Sequence, residues 1–370
     1  MPRLLPLAFA LALAAAPSAQ SAFPDSLDLF LMAGQSNAVG VGGDPGAAPL
    51  PERGTSYLVR VLPDSVGPTG GPFVELVTVR PNTIVGGTAL PTFAVEYTAR
   101  TGRPTAFLQT AFGGTTNVTE ADRGRGHWSA RQLGPGAGGG PNRFQLALDL
   151  LDAFLENAPA HTPAIRFAGL FWIQGETDAQ EIDRGRIQTT DYRQDLRATI
   201  TALADTLAAR AGYPVPIYVV QIGHLLEGDS PGFRDVRDVQ AESAGAVGYT
   251  LACNHAHLFP EAGLMADFAH WNQLGLNHVG LELALAAAAD APPRETPTAG
   301  EDGPDAAAPR VLGNPARRTA RFSAPVTGPV VDALGRVVAR LDGARATPAL
   351  APGTYAVRTA DGALRFTIAR

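Results

Sequence analysis

The sequence contains no lysine; its 29 basic side chains are all arginine, set against 35 acidic ones for a net charge of −6. Chemistry that depends on a lysine amine is therefore excluded. The arginines gather into no basic stripe, so nucleic acid is not an expected partner. There is one cysteine, Cys253, which excludes an internal disulfide and a Cys-rich metal site. Its place in the apolar run "YTLACN" marks it as a small core residue. Beyond the first residues no apolar run is long enough to cross a bilayer, and "LELALAAAADA" (281–291) has the length of a core helix. Stable membrane insertion is not expected.

The exception at the start is instructive. "MPRLLPLAFALALAAAPSAQSAF" has an arginine, a short apolar stretch and then small residues, the pattern of a secretory signal peptide over 1–22. The expected location is outside the cell or on its surface, reached through the periplasm.

Of the 370 residues, those from about 23 to 290 alternate short apolar runs with amphipathic stretches. The runs are "LDLFLMAG" (27–34), "TAFLQTA" (105–111), "IRFAGLFWI" (165–173), "PIYVVQIG" (216–223) and "GYTLACN" (248–254). Helical spacing appears over 142–157 and over 190–212, where Tyr192, Leu196, Ile200, Leu203 and Leu207 share one face and Gly212 supplies a C-cap. Such alternation predicts a parallel sheet covered on both faces, with ligands bound at the carboxyl ends of the strands. The Gly/Pro-rich segments 40–90 and 113–141 are too long for plain connections and are expected to build or cover a site. At 291–310 the composition turns to proline, alanine and acid, a linker. Short β-type runs with glycine turns over 311–370 predict a small all-β module.

The first apolar run ends in "GQSN", which exposes Ser36 at the strand's carboxyl end. A neutral serine is a weak nucleophile and needs a base. Far downstream "ADFAHWNQLG" offers Asp267 and His270, where a carboxylate can hold one imidazole nitrogen and leave the other for the serine. Two more turns come from the same sheet edge. "AFGGTTN" offers backbone N–H groups at Gly113 and Gly114, and "WIQGETD" offers the Gln174 amide. Taken singly, each has a bland alternative: a tight turn for the glycines, or a helix N-cap at Thr177/Asp178.

Together "GQSN", "AFGGT", "WIQGETD" and "DFAH" resemble the sialate O-acetylesterase and acetylxylan esterase branch of the SGNH hydrolases, over roughly 25–290. The resemblance implies a three-layer α/β/α, flavodoxin-like fold and a serine esterase that removes O-acetyl groups from carbohydrate. It implies Ser36 as nucleophile, His270 as base and Asp267 as its orienting acid. The oxyanion hole would be formed by the Ser36 N–H, Gly113 or Gly114, and the Gln174 amide. Asn37 and Glu176 are supporting residues; Glu176 either braces the wall or serves as a second acid, with the wall role favoured. Many members have histidine where Ile173 stands, so a polar contact is absent here. No cofactor is implied, and the partner is an acetylated glycan. The tail's Asn314-Pro315, "DALGR" and "LAPGTY" are similar to the C-terminal sorting domain of type IX secretion substrates, which implies secretion machinery as a second partner.

Two rival functions use other residues. "NHAHLFPEAGLMADFAH" holds an H-x-H pair, His255 and His257, that can bind zinc or manganese as in a metal-dependent hydrolase. A non-catalytic glycan-binding protein on the same fold would stack sugar on Trp128.

Overall fold

The computed structural model describes residues 24, 26–59, 73–76, 88–156 and 164–292, and in the tail 311–312, 316–317, 321–332, 337–347, 349–350, 353–359 and 362–369. The signal-peptide segment 1–22, all but two residues of the linker, Asn314-Pro315 and the middle of both tail turns lie outside the described residues. The chain divides into two compact units, Met1–Arg294 and Glu295–Arg370.

The first unit is organised about β1 (Ser26–Gly34), buried along its length after Ser26. A strand with parallel neighbours on both sides and helices on both faces can be apolar at every position. Its parallel neighbours are β4 (Thr105–Gln109) and β5 (Ala164–Ile173). Beyond β5 lie β6 (Ile217–Val220) and β7 (Thr250–Cys253). On the other side, β4 pairs with β2 (Ser56–Val59), and β3 (Phe73–Glu75) closes that edge antiparallel to β2. The order is β3-β2-β4-β1-β5-β6-β7. Without the two extra edge strands it is the flavodoxin-like order, in which the direction of winding switches beside the first strand and leaves a crevice at the carboxyl ends.

The period of two along β1 sends its side chains to two cores. Leu27, Leu29, Leu31 and Ala33 pack with α3 (Arg143–Glu156), α5 (Thr189–Ala211) and α6 (Pro231–Val247). Phe30 and Met32 pack with α2 (Leu90–Thr101) and α7 (Gln273–Asp290) on the opposite face. The five apolar residues expected on one face of α5 are all buried, and Gly212 closes that helix at φ 79°. Asp28 interrupts the apolar run and is 1% exposed. It accepts hydrogen bonds from Arg103, Arg166 and Tyr97, near the amino end of the strand. Burial raises its carboxyl pKa, but these partners outweigh that and leave it below the ordinary value.

The segment 40–90 differs from expectation. It contributes β2 and β3 and so widens the sheet, with Val41 alone among its described residues reaching the cleft described below. Four- and three-residue strands are too short to leave a legible period. The second unit is a six-stranded sheet built on the antiparallel strands Arg321–Asp332, Val337–Ala346, Gly353–Thr359 and Gly362–Ala369. Phe322, Val330, Leu341 and Val357 form its core.

Candidate active site

Gly34 ends β1 at φ 132°, and a Cβ there would stand 2.0 Å from the Ile173 carbonyl oxygen at the end of β5. Only glycine allows the chain to turn at so close an approach. Ser36 follows as the first residue of the one-turn helix α1 (Ser36–Val39) and is half-buried. Gly113, after β4, lies beside it: a Cβ on Gly113 would sit 3.6 Å from the Ser36 Cβ. The backbone N–H groups of Ser36, Gly113 and Gly114 donate to no other described group.

The last element of the site is the loop between β7 and α7. Asp267 Oδ1 accepts the backbone N–H of Ala269 and of His270, each at 2.8 Å, while Oδ2 lies 2.7 Å from His270 Nδ1. The carboxylate therefore fixes both the turn and the imidazole, leaving Nε2 for other work. Burial raises the Asp267 pKa, but the His270 ring and the two N–H donors bring it below the ordinary carboxylate value. Asp267 stays ionised behind the ring.

Asn37 ties this loop to the rest. Its Oδ1 accepts the Trp271 N–H at 3.1 Å, and its Nδ2 donates to Glu176 Oε1 at 2.8 Å and more weakly to the Ala269 carbonyl at 3.4 Å. Glu176, the first residue of α4 (Glu176–Asp183), is 7% exposed and its Oε2 has no described partner. Burial holds its pKa above the ordinary value, partly offset by Asn37 and by the charge of His270. Ser36, Asn37, Gly113, Gly114, Glu176 and His270 line one cleft of about 520 Å³, with Arg123 and Arg125 on its wall. Asp267 lies behind His270 and outside that lining.

Gln174 is placed differently from the sequence expectation. It is fully buried, absent from the cleft lining, and its Nε2 donates to Asp178. Asp178 is fully buried too, and it accepts the backbone N–H groups of Asn117 and Val118 at 2.9 to 3.0 Å. Burial pushes its pKa up to about 7 against those donors. The Gln174 amide is thus tied to a buried carboxylate that joins the second and third sequence blocks. Nor is Asp178 or Thr177 the N-cap of α4; Gly175 holds that position at φ 142°, without a side-chain cap bond. Sequence reasoning missed Asp178 as a junction because a threonine–aspartate pair at the start of a helix reads as an N-cap.

The rival sites fare as follows. Trp128 is fully buried, packed against Trp172 with ring centroids 5.4 Å apart, and has no face free for sugar. His255 converges with His278 and Glu282 rather than with His257, and none of the four lines the cleft.

Residues 26–289 match the family described as carbohydrate esterase, sialic acid-specific acetylesterase. No curated protein matches the sequence. Among solved structures, a protein from Arabidopsis thaliana aligns at 18% identity and TM-score 0.46, over 72% of this chain and 99% of its own. A carbohydrate acetylesterase from Xanthomonas citri aligns at 19% and 0.44, over 92% and 78%. An acetylxylan esterase from Geobacillus stearothermophilus aligns at 11% and 0.37, over 72% and 96%. The family match spans most of the chain, and on that ground the chain belongs to the sialic acid-specific acetylesterase family of carbohydrate esterases and is a carbohydrate O-acetylesterase.

Proposed function

We propose that this enzyme works through a serine acyl-enzyme, with Ser36 as nucleophile, His270 as base and Asp267 as the acid that orients it. The observation that carries the proposal is His270, hydrogen-bonded to Asp267 behind it, lining the same cleft as a half-buried Ser36, with uncommitted backbone N–H groups at Ser36, Gly113 and Gly114. As Ser36 Oγ attacks the acetyl carbonyl carbon, its proton passes to His270 Nε2. The negative charge moves to the carbonyl oxygen, where those N–H groups receive it. The C–O bond to the sugar breaks and the imidazolium returns the proton to the departing sugar hydroxyl. Water, deprotonated by His270, then attacks the acetyl carbon; the bond to Ser36 Oγ breaks, the imidazolium returns the proton to Oγ and acetate leaves. Asp267 stays ionised throughout and compensates the imidazolium.

The wall suggests the kind of sugar. Arg125 is exposed, lines the cleft and has no ionic partner among the described residues, whereas Arg123 is paired with Glu181. An unpaired guanidinium suits a sugar bearing a carboxylate. Acetate release from acetylated acidic and neutral glycans, measured for the parent and for Arg125→Ala, tests this. Activity on a chromogenic acetyl ester tests the esterase chemistry, and a Ser36→Ala enzyme that still turned over would end the mechanism.

Export belongs to the same proposal. The N-terminal segment and the β module suit a protein that crosses the inner membrane and is then sorted outward by a type IX system. A chain ending near Arg294 should keep its esterase activity but stay behind in the periplasm. Loss of small-ester activity on that truncation would show the β module to be part of the catalytic body.

A further inference from the structure

Outside the cleft, one side-chain cluster has no role in the chemistry above. His255 follows β7, and His278 and Glu282 lie one turn apart on α7. His255 Nε2 stands 2.6 Å from His278 Nε2, and Glu282 Oε1 stands 3.8 Å from the same His278 nitrogen. All three ligand atoms lie within 4.8 Å of one another. We infer that His255, His278 and Glu282 form a structural binding site for a divalent transition metal, zinc above all.

The donor chemistry supports this. Histidine four residues before glutamate on a helix puts two donors on one face, and a third from a facing segment completes a three-point set. Two neutral imidazole nitrogens at 2.6 Å repel unless one donates a proton or a cation lies between them. Tetrahedral zinc with bonds of about 2.0–2.1 Å sets its ligand atoms about 3.3 Å apart. Reaching that geometry needs the histidines to part by about 0.7 Å and Glu282 to close on His278 by about half an ångström, within the reach of ordinary side-chain torsion. The His278 and Glu282 side chains are 40% and 29% exposed, so the metal can enter and water can take a fourth position. Two nitrogens and one carboxylate suit zinc and its first-row neighbours rather than magnesium or calcium.

The placement gives the site a purpose. Its ligands come from the start of the loop that carries Asp267 and His270 and from the helix that follows it. Both imidazoles pack edge-on against Phe259, whose ring lies 5.5 Å from that of Trp271, the residue after His270. A metal here pins the two ends of the catalytic loop and leaves the acyl transfer to the serine.

The test uses the full, untagged chain stripped with EDTA and titrated with zinc chloride by calorimetry, with thermal melting in parallel. The expected result is one equivalent bound with Kd at or below about 1 µM. At a hundredfold excess over Kd the melting temperature should rise by roughly 5–10 °C. His278→Gln and Glu282→Gln, both at half-exposed positions, should each weaken binding at least tenfold while melting near the metal-free parent. Hydrolysis of a small acetyl ester at 25 °C should survive metal removal. Binding weaker than about 100 µM, or either variant weakening it less than tenfold, would overturn the site and leave the pair as an imidazole–imidazole hydrogen bond.

Discussion

Gln174→Ala separates two roles for the third sequence block. If the amide served the oxyanion, the variant would lose a hundredfold or more in kcat, about 3 kcal/mol of transition-state stabilisation, and melt like the parent. The structure predicts the opposite balance. Gln174 Nε2 donates to Asp178, a fully buried carboxyl held otherwise by the N–H groups of Asn117 and Val118. A hydrogen bond to a charged buried acceptor contributes about 1.5–3 kcal/mol, and truncating a buried chain to alanine leaves a void that costs about another 1–2 kcal/mol. A loss of about 3–5 kcal/mol corresponds to a fall in melting temperature of roughly 10 °C or more for a unit of this size. The loss should depend on pH, because the Asp178 pKa is raised to about 7 in the fold. Above pH 7 the carboxylate is charged and needs its donor; well below it the carboxyl is neutral and the penalty shrinks. Differential scanning calorimetry at pH 5.5 and pH 8, with kcat on an acetyl ester corrected for the folded fraction, reads both quantities. A variant that melts within about 2 °C of the parent at both pH values and loses a hundredfold in kcat would refute this account. The second Nε2 hydrogen would then reach the oxyanion.

Other perturbations have equally distinct outcomes. Ser36→Ala and His270→Ala should each lower kcat by several orders of magnitude, with circular dichroism and melting unchanged because neither residue holds the fold. Asn37→Ala should lower both stability and kcat: it strips Glu176 of its donor and Trp271 N–H of its acceptor, a loss of about 2–5 kcal/mol, and urea unfolding with steady-state kinetics would detect it. Asp178→Asn should flatten the pH dependence of stability. A carboxyl whose folded pKa is raised contributes stability that is complete below its unfolded value of 3.8 and is lost as pH rises through about 7. The parent's melting temperature should fall across that window more steeply than the variant's.

The apolar run over residues 27–34, the three-to-four spacing from Tyr192 to Leu207 and the alternation of such segments were enough to specify a parallel sheet with helices on both faces. Those patterns are local consequences of burial, so they can be read without coordinates. Four polar turns at four strand ends also placed Ser36, Gly113, Glu176 and His270 at one sheet edge, since parallel strands must share their carboxyl ends. The tertiary structure alone decided which polar atoms meet. Nothing local distinguishes Asn37, which bridges the loop carrying Asp267 and His270 to Glu176, from an ordinary turn residue. Likewise, nothing in "QGETD" says that Gln174 and Asp178 satisfy each other. His255 was legible as half of an H-x-H pair, but its partners lie 23 and 27 positions away on a helix whose rotation is set by packing against α2 and the sheet. Pairings over such separations depend on how whole elements dock, and a hydrogen bond resolves differences of an ångström that no residue pattern records.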